Sequence, residues 1–183
     1  MKLKFKLLNH PFYKDWSRGA ITQFQLANYA YSYYQFIQQI PLFWLRVIIG
    51  FDAKKESTTQ IVLDELEHTL LWEQFMRKFP VVNFPSMSDV INSFKNMNDS
   101  ELLGAVHSFE IQQPEVAKTK MEGLIKYYGF LPEETQYFKA HLSEENHIKL
   151  GKLIAESRAN KEDFIKGFDK GAEIIYESLN KFM

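Results

Sequence analysis

The chain of 183 residues has no cysteine, which at once excludes disulfides, thiolate nucleophiles, Cys-ligated zinc and iron–sulfur clusters. Glycine and proline are sparse, at 8 and 6 residues, so collagen-like and low-complexity organisation is out and long regular elements have room. Neither sign of charge dominates: 22 basic residues face 23 acidic ones for a net charge of -1. With no basic run to neutralise phosphates, nucleic acid is not an expected partner. Long hydrophobic runs are missing too. The longest, Ile40 to Phe51, is cut by Arg46 and falls short of the roughly 20 residues that span a bilayer. The opening MKLKFKLLNH alternates charged with apolar residues and lacks the unbroken apolar core of a secretory signal. A soluble, unprocessed, cytoplasmic protein without a membrane partner is the expectation.

What the chain does have is rings. Sixteen Phe, nine Tyr and three Trp within a composition that is 45% hydrophobic exclude disorder and predict a core, or a cavity within it, lined by aromatics. The length fits one domain over residues 1–183 around one core. Strand signals are scarce: there is no Asn-Gly or Asp-Gly turn, while apolar residues recur every three or four positions, so the fold class is all-α.

Thr22 with Gln25 makes a capping box that starts a helix running to Pro41, with Phe24, Ala27, Tyr31, Tyr34 and Ile37 on one stripe. A short helix follows from Leu42 to Ile49, then one from Ser57 to Lys78 with Val62, Leu66 and Phe75 on its apolar face. Pro85-Ser86 opens a short helix, and Asn96 to Ser100 turns the chain. The next helix runs from Ser100 towards Tyr128, kinked at Pro114 and capped by Gly129. Pro132 starts another that reaches Ser157, and the last spans Lys161 to Phe182 with Phe164, Phe168, Ile175 and Leu179 facing inward. Seven helices around one core is the architecture this implies.

Two of these helices carry a carboxylate three residues before a histidine: Glu65 with His68, and Glu144 with His147, with His141 three residues before Glu144. Side chains three apart lie about 60° apart around the axis and can meet at one point, as in bundles that share a metal. A third helix offers Glu110 between Phe109 and Ile111. A carboxylate on so apolar a stretch must be paired or metal-bound, which makes Glu110 the candidate bridge. His107, three residues earlier, fits a supporting or surface position better than a ligand. This hard N/O set suits two iron or manganese ions with open positions for dioxygen, and zinc less naturally.

Here the sequence resembles a known family. His10-Pro-Phe-Tyr-Lys-Asp-Trp-Ser-Arg-Gly19, Gln25-Leu-Ala-Asn-Tyr-Ala30 with Tyr33-Tyr34, His68-Thr-Leu-Leu-Trp-Glu-Gln-Phe75, Phe109-Glu-Ile-Gln-Gln-Pro114, Lys120 with Gly123-Leu124, Tyr127-Tyr-Gly-Phe130 and Tyr137-Phe-Lys-Ala-His141 occur in order. Together they resemble the heme-oxygenase-like dimetal oxidases related to the TenA/PqqC group, and among these the chlamydial proteins associating with death domains.

The resemblance implies Glu65, His68, Glu110, Glu144, His141 and His147 as ligands of two metal ions, Fe/Fe or Fe/Mn, with dioxygen as co-substrate and an external electron donor. It also implies a homodimer. Its implied chemistry is the making of para-aminobenzoate for folate synthesis from Tyr13, with Lys120 as amino source and Tyr29 and Tyr137 near the centre. The chain departs from the family's His-x-x-x-Asp-x-x-His pattern: a glutamate replaces the aspartate, and six steps separate His141 from His147. In an unbroken helix those histidines point about 120° apart, with Glu144 midway and Glu145 about 40° from His141. A π-bulge restores convergence; otherwise one histidine drops out, and the choice between Glu144 and Glu145 stays open.

Two other functions compete with single-turnover chemistry: a multiple-turnover dimetal oxidase of an external small acid or amine, and a non-enzymatic death-domain-type interaction module. A TenA-like thiaminase is excluded by the missing cysteine. A metal-free PqqC-like synthase would leave the Glu and His set idle. Heme oxygenase needs a proximal histidine, and His10 belongs instead to the resembling motif, where it is not a ligand.

Overall fold

The computed structural model describes residues 1–53 and 56–183, and among these there is no strand. The helices are α1 (Pro11–Ser17), α2 (Gln23–Ile37), α3 (Ile40–Gly50), α4 (Glu56–Met76), α5 (Ser88–Lys95), α6 (Asp99–Glu110), α7 (Gln113–Tyr127), α8 (Gln136–Ala140), α9 (Glu145–Ser157) and α10 (Lys161–Ser178). Seven of them, α2, α3, α4, α6, α7, α9 and α10, run for 11 residues or more. Short 3-10 turns at Leu7–Asn9, Pro132–Thr135 and Leu179–Phe182 join or end them. No described helix is long and apolar enough to cross a membrane.

At the centre lies α6, whose residues are all buried from Leu102 to Glu110, as expected of a helix wrapped on every side. α10, α3, α9 and α5 pack around it. Contact with α10 is backbone to backbone: a Cβ on Gly167 would fall 1.9 Å from the Glu101 carbonyl, and one on Gly104 would fall 2.1 Å from that of Phe164. The inward positions predicted for α10, Phe164, Phe168, Ile175 and Leu179, are all buried.

Local signals fix several ends. Both hydrogen bonds of the Thr22–Gln25 capping box form, and a second box, Asn98 with Glu101, starts α6. Gly129 takes φ +74, while the Phe130 amide donates back to the Leu124 carbonyl at 3.2 Å, a glycine-dependent stop.

Other expectations shift. α1 lay outside the predicted helices; it is short, and His10 rather than Ser or Asp caps it, its ring accepting from the Phe12 amide at 3.1 Å. The buried face of α2 contains Leu26, Tyr29, Tyr33 and Phe36, and Phe24 is exposed. On α4 the inward stripe is Thr58, Ile61, Glu65, Trp72 and Phe75, whereas Leu66 joins Leu63 and Leu70 outside. Pro114 separates two helices rather than kinking one, for it sits at the start of α7 after a turn at Ile111–Gln112. The predicted helix from Pro132 to Ser157 is also divided, with residues 141–144 outside both α8 and α9.

Candidate metal centre

Six side chains converge from α4, α6, α9 and the break between α8 and α9. Glu65 and His68 stand one turn apart on the inner stripe of α4, and Glu110 is the last residue of α6, only 1% exposed. His141 caps the C-terminus of α8, Glu144 occupies the position before α9, and His147 lies in the first turn of α9. The break at 141–144 resolves the mismatch that an unbroken helix would create: the chain turns, and both histidines and Glu144 are buried. No π-helix is used. Glu145 points outward and pairs with Lys149 at 3.0 Å, so Glu144 is the carboxylate facing the cluster.

Two overlapping groups have ligand atoms that all lie within 4.8 Å of one another: Glu65, His68 and His141, and Glu65, Glu110 and His147. Glu65 is common to both. Its Oε2 lies 3.6 Å from His68 Nδ1 and its Oε1 lies 3.3 Å from His147 Nδ1. Glu144 spans the same interval, with one oxygen 3.7 Å from His141 Nε2 and the other 2.7 Å from His147 Nδ1. Glu65 and Glu144 each reach histidines of both groups. Glu110 turns one oxygen towards His147 at 3.9 Å, and its other accepts from the Trp44 indole at 3.0 Å. His141 Nδ1 lies 2.7 Å from the Tyr137 carbonyl. Donating there, it leaves Nε2 with its lone pair free, the usual way a ligating imidazole is oriented.

Charge and satisfaction test whether these residues fit a metal. Three buried carboxylates meet here, and among the described residues no Lys or Arg pairs with them. Burial, then the charge of Glu65, pushes the Glu110 carboxyl well above the usual range. Burial works against charge on His147, but contact with Glu144 and the charges of Glu110 and Glu65 outweigh it and raise the group to about 9. Burial, then His68, holds His141 well below its ordinary value. Protons on Glu110 and His147 thus offset part of the charge the cluster would otherwise carry.

His68 Nδ1, His147 Nδ1 and Glu144 Oε1 are buried without a hydrogen bond. His147 Nδ1 nonetheless lies 2.7 Å from the other Glu144 oxygen, an ion-pair distance. Unsatisfied lone pairs converging on one space are what cations satisfy, and metal–ligand bonds of about 2.1 Å set neighbouring ligand atoms roughly 3–3.5 Å apart. The residues fit a pair of hard divalent ions.

Beside this cluster lies a cage of rings. Tyr13 of α1, Tyr29 and Tyr33 of α2, Trp72 of α4 and Phe138 of α8 surround Lys120 of α7, whose Nζ is 5.0–5.8 Å from each ring centre. Lys120 is 2% exposed and donates to the Tyr29 hydroxyl at 2.5 Å, which is itself 3.4 Å from that of Tyr13. Burial lowers the Lys120 amine to about 7 and raises all four tyrosine hydroxyls, Tyr13, Tyr29, Tyr33 and Tyr137. Rings connect cage and cluster: Tyr137 is 4.1 Å from His141 and 4.6 Å from Trp72, and Trp72 is 5.8 Å from Tyr29.

Tyr33 and Trp72 stand in the shared motifs but were given no role by the sequence, although the α4 spacing 58, 61, 65, 68, 72, 75 places Trp72 in phase with Glu65 and His68. The other two histidines stand apart. Both nitrogens of His10 are engaged, by the Phe12 amide and Asn180. His107 is buried against Phe164, Phe168 and Gly151, and burial lowers it to about 4.

Residues 29–174 match the family described as iron-containing redox enzyme. The chain belongs to this heme-oxygenase-like family. The match contains all six converging residues. A 4-aminobenzoate synthase of Chlamydia muridarum (strain MoPn / Nigg) is 30% identical over 97% of this chain and 84% of its own length. One from Chlamydia trachomatis serovar D is 29% identical over 97% and 86%. Another, from Nitrosomonas europaea, is 26% identical over 74% and 66%.

Proposed function

We propose that this iron-containing redox enzyme is a 4-aminobenzoate synthase that consumes its own Tyr13. The observation that carries the reading is the position of Lys120: a fully buried amine, lowered to about 7 by burial, set 2.5 Å from the Tyr29 hydroxyl that contacts Tyr13. A lysine in that range is partly neutral near pH 7 and has a lone pair to give. The relatives' name and the ordered motifs shared with the chlamydial death-domain-associating proteins support the same reading. Glu65, His68, His141, Glu110, Glu144 and His147 hold two ions, Fe/Fe or Fe/Mn, which when bound supply the oxidising power of dioxygen using electrons from an external donor.

The chain's own residues do the rest. Tyr137, Trp72 and Tyr29 form the ring path along which an electron leaves Tyr13. Lys120 and the Tyr29 hydroxyl are placed to take the phenol proton, and the surrounding rings exclude water from the amine. For the Tyr13 ring to leave as 4-aminobenzoate, its Cα–Cβ bond must break, Cβ must be oxidised to the carboxylate at the expense of dioxygen, the phenol oxygen must leave as water as a bond to the Lys120 nitrogen forms, and the Lys120 Nζ–Cε bond must break, so each chain turns over once. A homodimer working in the cytoplasm completes the reading.

Protein purified without oxygen, loaded with iron or iron plus manganese and then exposed to air tests this. Intact mass and peptide mapping should show material lost at Tyr13 in step with product, and ring-labelled tyrosine should carry its label into that product. Sustained product formation with Tyr13 at full mass would sink the self-consuming reading in favour of an external substrate.

A further inference from the structure

The carboxylate–imidazole cluster has one face towards solvent. A cavity of about 430 Å³ lies between α4 and the break that joins α8 to α9, lined by Asp64, Glu67 and His68 on one side and by Ser143, Glu144, Glu145, Asn146 and His147 on the other, with Ala140 between. Its floor is the cluster itself: Glu144 Oε1 and His147 Nδ1 are buried, at 4% and 3% residue exposure, without hydrogen bonds. Its rim is acidic. Asp64 and Glu67 share one side of α4, one turn apart, with Glu145 across the opening, and among the described residues no lysine or arginine lines the cavity. Lys149 pairs with Glu145 at 3.0 Å but lines a neighbouring hollow instead.

We infer that this mouth is a cation entrance: Asp64, Glu67 and Glu145 capture hydrated divalent metal ions and pass them to the buried ligand atoms of His68, Glu144 and His147. The inference rests on the metal-centre reading and adds the route by which the centre is filled. A cleft lined by one sign of charge between low-dielectric walls concentrates ions of the opposite sign and raises their rate of capture. The same field turns away anions. Small carboxylic acids are therefore poor candidates for a substrate entering at this face, while neutral dioxygen passes unaffected.

Stopped-flow loading of metal-free, full-length protein with cobalt(II), followed by its visible absorption, tests the entrance apart from the centre. Asp64→Asn combined with Glu67→Gln should load roughly tenfold more slowly at low ionic strength, where such steering is strongest, yet reach the same cobalt per chain. In high salt the two proteins should converge. Asn146→Lys, which adds a positive charge at the rim, should slow loading in the same direction. A neutralised rim that loads at the wild-type rate with the wild-type salt dependence would overturn the entrance and leave the centre standing. Wild-type protein that binds no cobalt would overturn both.

Discussion

At the scale of single residues, Lys120 is a costly group to bury. Its amine is lowered from 10.5 to about 7 by burial, so between those values the unfolded chain holds a proton the native chain lacks, and stability rises with pH across that window. Below pH 7 both states are protonated and the full penalty applies. A shift of this size corresponds to a ceiling of roughly 5 kcal/mol, and attraction to the enclosing rings offsets part of it. Lys120→Met keeps the volume and removes the charge. The variant should be about 2 kcal/mol more stable than wild type at pH 6, with the gain fading towards pH 10, in urea melts at each pH. It should form no 4-aminobenzoate. A residue that destabilises the fold yet is retained for its amine would show that pairing; a variant that loses stability at pH 6 would show Lys120 to be a structural residue.

At the scale of elements, α6 carries Glu110 and owes its place to α10, whose Gly167 leaves no room for a side chain against the Glu101 carbonyl at 1.9 Å. Gly167→Ala must push the helices apart, costing on the order of 3 kcal/mol, and should lower metal per chain because Glu110 moves with α6. Gly171→Ala should act in the same direction, because a Cβ there would meet both the Cα and the Cβ of Ala105 at 2.5 Å and trimming Ala105 would leave the backbone clash in place. Denaturant melts and elemental analysis read both effects.

The glycines that set this contact are visible in the sequence, but what they touch is not, since close approach depends on a partner 60 or more positions away. The six converging residues were legible because helical spacing makes neighbours of Glu65 and His68. The convergence of His141 and His147 was not, because it arises from a break in the chain at 141–144 that no glycine or proline announces. That Glu65 falls into both groups of ligand atoms was hidden for a similar reason. Which oxygen meets which imidazole is decided by how α4, α6 and α9 cross, and Trp44, from yet another helix, occupies one oxygen of Glu110.

At the scale of the whole molecule, the cluster couples folding to metal. Glu65, Glu110 and Glu144 are buried with histidines as their only ion-pair partners among the described residues, so the metal-free fold leans on protons at Glu110 and His147 where two divalent ions would supply the positive charge. Ligand present at a hundred times its dissociation constant contributes about 2.7 kcal/mol per site. Two sites give roughly twice that, and a chain of this size gains about 2–4 °C per kcal/mol. Anaerobic iron(II) should therefore raise the melting temperature by on the order of 10 °C. Because Glu65 belongs to both ligand groups, Glu65→Gln should abolish most of the rise, whereas Glu145→Gln, exposed and paired with Lys149, should keep it. Calorimetry of the two variants with and without iron separates a shared carboxylate from independent ones: if Glu65→Gln retained half the rise, one ion would be binding without it, and the two groups would be separate sites that happen to be neighbours.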